Sequence, residues 1–271
     1  MSKIYYKTDE EIEIIRQNCL LVSKTLALVG QHLKAGVTGK ELDEKAEEFI
    51  RDHGAEPGFK GYRGFPATLC ISKNEVVVHG IPNDTPYVDG DIVSVDCGVY
   101  NHGYYGDAAY TFAIGEIDDE VMKLLVVTKE SLYKGIEEAR RDNRLGDVSH
   151  AIQHYTEQVH GYSVVREMVG HGLGRNLHEK PEVPNFGKRG RGVKLQDGLV
   201  IAIEPMINLG TRRIAQLDDG WTIITRDKKP SAHYEHTVAI RNGEADILSD
   251  HSYLEESIDN NDNLKKISLK S

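Results

Sequence analysis

The segment Asp91-Ile-Val-Ser-Val-Asp96-Cys-Gly-Val-Tyr-Asn-His-Gly-Tyr-Tyr-Gly-Asp107 decides how this chain folds. Val93, Val95, Cys97 and Val99 fall on one face of an extended run, and Asn101-His102-Gly103 holds the turn that sends it back as a hairpin. Pairing Tyr100 with Gly103 sets Asp96 directly opposite Asp107, their Cβ atoms about 5 Å apart on one face. Two carboxylates so placed repel unless a shared proton or a cation offsets them, and a metal ion is the simplest such cation.

Working outward, helices come before the hairpin and again after it. Thr8 and Glu11 form a capping box ahead of Ile12, Ile15, Cys19, Val22, Leu26 and Val29, an apolar stripe at helical spacing that should end near Gly30. A second box, Thr38 with Glu41, opens a shorter helix closed by Gly54. The pattern recurs over residues 120–139 and 147–160, and an offset of 107 aligns Gly39 with Gly146, His53 with His160 and Gly54 with Gly161. Strands are expected at 69–79, 91–100, 104–114, 164–170, 199–207, 221–226 and 234–241. The whole reads as an α+β chain of two duplicated αβ halves around an antiparallel, partly mixed sheet, with a site at their junction.

Residues 1–254 are expected to form a single domain, and the polar, aperiodic stretch 255–271 a disordered tail. The balance of 33 Lys+Arg against 43 Asp+Glu, net −10, argues against non-specific nucleic-acid binding. The longest apolar run, residues 199–203, is far short of the roughly 20 residues a membrane span needs. The first residues turn acidic by position 9 without the apolar stretch of a signal peptide, so a cytoplasmic protein is expected. Cys19, Cys70 and Cys97, odd in number and in apolar contexts, fit buried thiols rather than disulfides.

Three further segments carry chemistry. His171-Gly-Leu-Gly-Arg-Asn-Leu-His178 sets two imidazoles seven residues apart across a glycine-rich stretch, unlike a helical zinc motif. Glu204 follows the longest apolar run, and Glu235 sits in the short strand Ala232-His-Tyr-Glu235-His-Thr. A buried, unpaired carboxylate at either place is prohibitive. Asp96, Asp107, Glu204 and Glu235 with His171 offer four charges and one nitrogen, which two divalent ions would balance. Oxygen-rich ligation without thiolate suits Mn, Fe or Co over structural zinc, and paired ions activate a water molecule as nucleophile.

These segments, with Asn74-Glu-Val-Val-Val-His79-Gly-Ile-Pro, Glu204-Pro-Met and Tyr234-Glu235-His-Thr, resemble the type I methionine aminopeptidases of the creatinase, or pita-bread, metallopeptidases over about residues 8–250. The resemblance implies the pita-bread fold, two pseudo-twofold halves with a curved antiparallel sheet, and removal of the N-terminal initiator methionine from nascent chains when the second residue is small. It implies that Asp96, Asp107, His171, Glu204 and Glu235 hold two ions (Mn, Fe, Co or Zn), with Asp107 and Glu235 bridging. Glu204 would also act as general base, His178 would stabilise the oxyanion, and His79 would hydrogen-bond the amide nitrogen of the second residue. Phe59, Tyr62, Phe65, Cys70 and Trp221 are implied to form the methionine side-chain pocket, and Asn74, Val76 and Ser231 to bind a monovalent cation. Leu177 and Val78 depart from the family's usual Phe and Cys, and the turn at 101–103 is less acidic than usual.

The 26 residues from His178 to Glu204 leave no room for the type II helical insert, and no zinc-binding or Pro-rich extension precedes residue 8, as in the short bacterial form. The cluster Lys188-Arg-Gly-Arg191-Gly-Val-Lys194 suggests ribosome contact, with a solvated loop as the plainer alternative. A monomer is expected. The rivals are an Xaa-Pro aminopeptidase or dipeptidase of the same fold, and a non-catalytic binding protein, which would lack some of the five ligands.

Overall fold

The computed structural model describes residues 3–268. Helix α1 (Asp9–His32) begins at a complete Thr8/Glu11 capping box and buries its whole apolar stripe. Helix α2 (Gly39–Asp52) begins at the Thr38/Glu41 box. After the hairpin come α3 (Asp119–Glu137) and α4 (Leu145–Gln153). α1 packs on the hairpin strands, and α3 on the strands carrying residues 200–203 and 235–241, with α4 packed on α3. Gly54 and Gly161 both follow a helix with positive φ, in keeping with the repeat.

The main sheet has nine strands, seven of them in the order Glu56–Pro57, Ile92–Asn101, Tyr104–Ala113, Glu235–Arg241, Val200–Ile203, Gly170–Gly172 and Glu179–Val183. Every pairing among the described residues is antiparallel, so the mixed character expected from sequence is absent there. The expected long strands at 69–79, 164–170 and 199–207 each break into two short ones. Short strands at Glu56–Pro57, Glu179–Val183, Ile214–Gln216 and Glu244–Ile247 gave no sequence signal.

The hairpin register differs from the expectation by two residues. His102 and Gly103, at φ 49° and 82°, form the whole turn, so Asn101 pairs with Tyr104. Positive φ at both central residues matches the strands' twist in a two-residue hairpin, and this favours the tighter turn. Asp96 consequently faces Ala109, and Asp107 faces Gly98. A shift of two keeps both carboxylates on the same face as diagonal neighbours.

The disordered tail is also corrected. Residues 252–259 form α5 (Ser252–Asp259), which packs on α1 and buries Leu254 and Ile258. Leu264 is buried and bridges Ile114, while Asn261 donates to the carbonyls of Gly30 and Leu33 at the end of α1. Residues 269–271 of the expected tail lie outside the described residues.

Candidate metal centre

Five adjacent strands each bring one candidate ligand to the same place. In sheet order these are Asp96, Asp107, Glu235, Glu204, which directly follows its strand, and His171. Asp96 and Glu235 both pair with Ala109, from opposite sides. The main chain at three of these positions is pinned by buried polar side chains. Asn185 Nδ2 donates to the Glu204 carbonyl at 2.9 Å, Thr237 Oγ1 to that of Asp107 at 2.7 Å, and His251 Nε2 lies 3.1 Å from that of Glu235.

The electrostatics of this cluster favour a cation. Asp107 and Glu235 are buried, and Asp96 Oδ1, Asp107 Oδ1 and Glu235 Oε1 have no hydrogen-bond partner. Burial raises the carboxyl of Asp96 to about 7. Burial, reinforced by the neighbouring carboxylates, holds those of Asp107, Glu204 and Glu235 well above the ordinary range. Such groups are satisfied by a positive charge among them.

The histidine fits that role. His171 lies with Nδ1 2.9 Å from the carbonyl of Gly172, which can only accept, so Nδ1 carries a proton. Burial lowers its pKa to about 4, so the ring is neutral and Nε2 presents a lone pair. That Nε2 lies 3.6 Å from Glu204 Oε1 and 3.8 Å from Asp107 Oδ2. Two donors each about 2.1 Å from a common ion stand roughly 3 to 4 Å apart, so the spacing fits. Ligand atoms of Asp107, His171 and Glu235 also lie within 4.8 Å of one another.

The centre opens into a cavity of about 290 Å³. Phe59, Tyr62, Phe65, Cys70 and Trp221 all line it, with Trp221 edge-on to Phe65 at 5.1 Å between ring centroids. His79 and His178 line it too, as do Leu177 and Val78, so both departures from the family pattern face the pocket. His79 sits at φ 59°, and at the next residue, Gly80, a Cβ would come within 2.1 Å of the Ile71 carbonyl. Burial lowers the His79 pKa, while partial desolvation at the cavity mouth, followed by the neighbouring His171, lowers that of the otherwise exposed His178. Cys19, Cys70 and Cys97 are free and buried.

Three residues near the centre escaped the sequence reading. His233 is buried with Nε2 unpartnered and 3.8 Å from Glu204 Oε2. Its position two residues before Glu235 in an extended segment was the available signal. Met168 and Met206 line the cavity, the latter inside the quoted Glu204-Pro-Met. Elsewhere, Ser231 N donates to the Asn74 carbonyl, bringing together two of the three monovalent-cation candidates. The charged residues of the 188–194 loop are exposed, its backbone docked on the start of α4 through Gly146 and Asp147.

Residues 13–242 match metallopeptidase family M24. The methionine aminopeptidase of Clostridium perfringens is 54% identical over 246 residues, covering 91% of this chain and 98% of that protein. The crystal structure of methionine aminopeptidase from Rickettsia prowazekii superposes with a TM-score of 0.90 at 40% identity, covering 92% of this chain and 100% of that one. A prolidase from Pyrococcus furiosus shares the fold, with a TM-score of 0.73 at 22% identity over 90% of this chain and 65% of its own.

Proposed function

This chain belongs to metallopeptidase family M24, and from that premise we infer that it is a methionine aminopeptidase, a hydrolase that removes the N-terminal methionine of polypeptides when the second residue is small. The observation that carries the reading is the convergence of four carboxylates and one neutral imidazole, from five neighbouring strands, at the head of an apolar, aromatic-lined cavity. An unbranched thioether side chain suits such a slot.

The family uses divalent metal. In this reading Asp96, Asp107, His171, Glu204 and Glu235 would hold two ions. When bound, the ions supply Lewis acidity and lower the pKa of water. The remaining chemistry falls to the chain. The carboxylate of Glu204 receives the proton that the attacking water gives up, and His178 donates a hydrogen bond to the oxygen that gains charge at the scissile carbonyl. His79 accepts from the amide N–H of the second residue and orients the leaving group. The pocket of Phe59, Tyr62, Phe65, Cys70 and Trp221 holds the first side chain and thereby fixes the scissile bond.

The choice among Mn, Fe, Co and Zn, a monovalent cation at Asn74, Val76 and Ser231, a single catalytic domain that takes in α5 and Leu264 beyond the expected residues 1–254, a monomeric state, action in the cytoplasm and contact with the ribosome through residues 188–194 complete the reading. Nascent N-termini as substrate support the last two. No helix of the described residues is long and apolar enough to cross a membrane. The test is kinetics on Met-Ala-Ser and on Xaa-Pro peptides after chelation and return of Mn, Fe, Co or Zn singly. Release of methionine from Met-Ala-Ser, restored by metal, is expected. Cleavage only before proline rejects the reading in favour of a prolidase-like activity, and metal binding without hydrolysis in favour of a binding protein.

A further inference from the structure

The methionine pocket leaves one polar group unexplained. A slot for a thioether has no use for a phenol oxygen, yet Tyr62 presents one, and its Oη lies 2.9 Å from Nδ1 of His178. The two rings are stacked at 26° with centroids 5.3 Å apart, and among the described residues this is the only hydrogen bond of the Tyr62 hydroxyl.

A neutral imidazole carries one N–H and one lone pair, and the partner of one nitrogen decides which is which. The phenol can donate its proton to Nδ1, which leaves the imidazole N–H on Nε2. The neighbouring ring, 4.3 Å away, is set the opposite way, because His171 gives its Nδ1 proton to the Gly172 carbonyl and keeps its lone pair on Nε2. Two adjacent histidines are thus sorted into a ligand and a donor by what touches their Nδ1 atoms.

We propose that Tyr62 is a positioning residue: its hydroxyl holds His178 in the Nε2–H tautomer, and because its ring is also a wall of the side-chain pocket, it ties correct filling of that pocket to the readiness of the hydrogen-bond donor. The proposal rests on the reading above, in which His178 serves the carbonyl oxygen. It makes the first side chain of the substrate act on kcat as well as on binding, since the residue that recognises it also orients the catalytic imidazole.

Tyr62→Phe keeps the ring and removes only the hydroxyl. It should lower kcat on Met-Ala-Ser by roughly 5- to 10-fold, the worth of one neutral hydrogen bond, with KM little changed. In a His178→Ala background the same substitution should cost nothing further. Nitrogen-15 spectra of the zinc-loaded protein should show His178 Nδ1 unprotonated in the wild type, and the two ring shifts drawn together in Tyr62→Phe as tautomers mix. Additive losses in the double variant, or a protonated Nδ1 in the wild type, would overturn the proposal. Wild-type protein that fails to turn over Met-Ala-Ser with metal restored would overturn the functional reading and this role with it, and is told apart because the spectrum reports the tautomer without turnover.

Discussion

Removing metal should reverse the sign of the pH dependence of stability. In the metal-free protein the carboxyl of Asp96 is raised from 3.8 to about 7, so the folded state binds its proton more tightly than the unfolded state. The stability this contributes is fully present below about pH 3.8 and is lost as pH rises through 7. Between pH 6 and 8 it amounts to about 1.4 kcal/mol, somewhat less after allowance for solvent on the open side of Asp96, and a Tm shift of roughly 3 to 5 °C. Asp107, Glu204 and Glu235, raised further, push the same way. The buried histidines push oppositely: with folded-state pKa values lowered to about 4 for His171 and about 3 for His233, they gain stability as pH rises toward 6.5. Asp96→Asn retains those histidines and removes the Asp96 titration, so the difference between its melting curve and that of the wild type reports Asp96 together with its repulsion of the neighbouring carboxyls, which acts in the same direction. In excess EDTA the wild-type Tm should fall relative to Asp96→Asn from pH 6 to 8. In saturating Mn²⁺ it should rise, because protons compete with the ion for the same oxygens. Parallel curves in EDTA, or a wild-type advantage over Asp96→Asn that grows with pH in the absence of metal, would refute the assignment of these carboxylates as an uncompensated cluster.

Asp107→Ala should remove one of the proposed ligands, so elemental analysis should find less than the wild-type complement of metal and turnover should drop below about one hundredth. Leu254→Ala, at a fully buried position where α5 meets α1, should cost about 2–5 kcal/mol in urea unfolding while leaving kcat unchanged. Charge reversal at Lys188, Arg189 and Arg191 should abolish co-sedimentation with ribosomes and leave peptide kinetics intact, since these side chains are exposed and do not line the cavity. Undiminished co-sedimentation would remove the ribosome contact from the functional reading.

What the sequence disclosed follows from where its signals are local. Helices α1 and α2 were legible because a capping box and an i, i+3, i+4 stripe lie within a few residues of each other. The strand Glu179–Val183 was not, because only Pro181 and Val183 are buried in it, and its place at the sheet edge is set by Gly170–Gly172 rather than by its own period. Helix α5 was misread because its buried apolar residues, Leu254 and Ile258, are two positions in a run otherwise mostly polar. Composition averaged over that window hides a four-residue spacing that matters only once α1 is there to receive it.

The site shows the same division more sharply. Each carboxylate announced itself locally, as a charge embedded in an apolar strand, and that conflict is what pointed to metal. Their neighbourhood could not be read so directly. In the sheet the candidate ligands run 96, 107, 235, 204, 171, an order produced by the strand bearing Glu235 inserting between the hairpin and the strand before Glu204. Only the pair within the hairpin was within reach of register arithmetic, and there an error of two residues was harmless because a strand's side chains repeat every two. An error of one would have turned Asp107 to the opposite face and dissolved the argument for a cation. His233 marks the limit of this kind of reading: it shares a face with Glu235 by the same period, but its significance lies in a 3.8 Å approach to Glu204 from another strand, a relation that no spacing along the chain encodes.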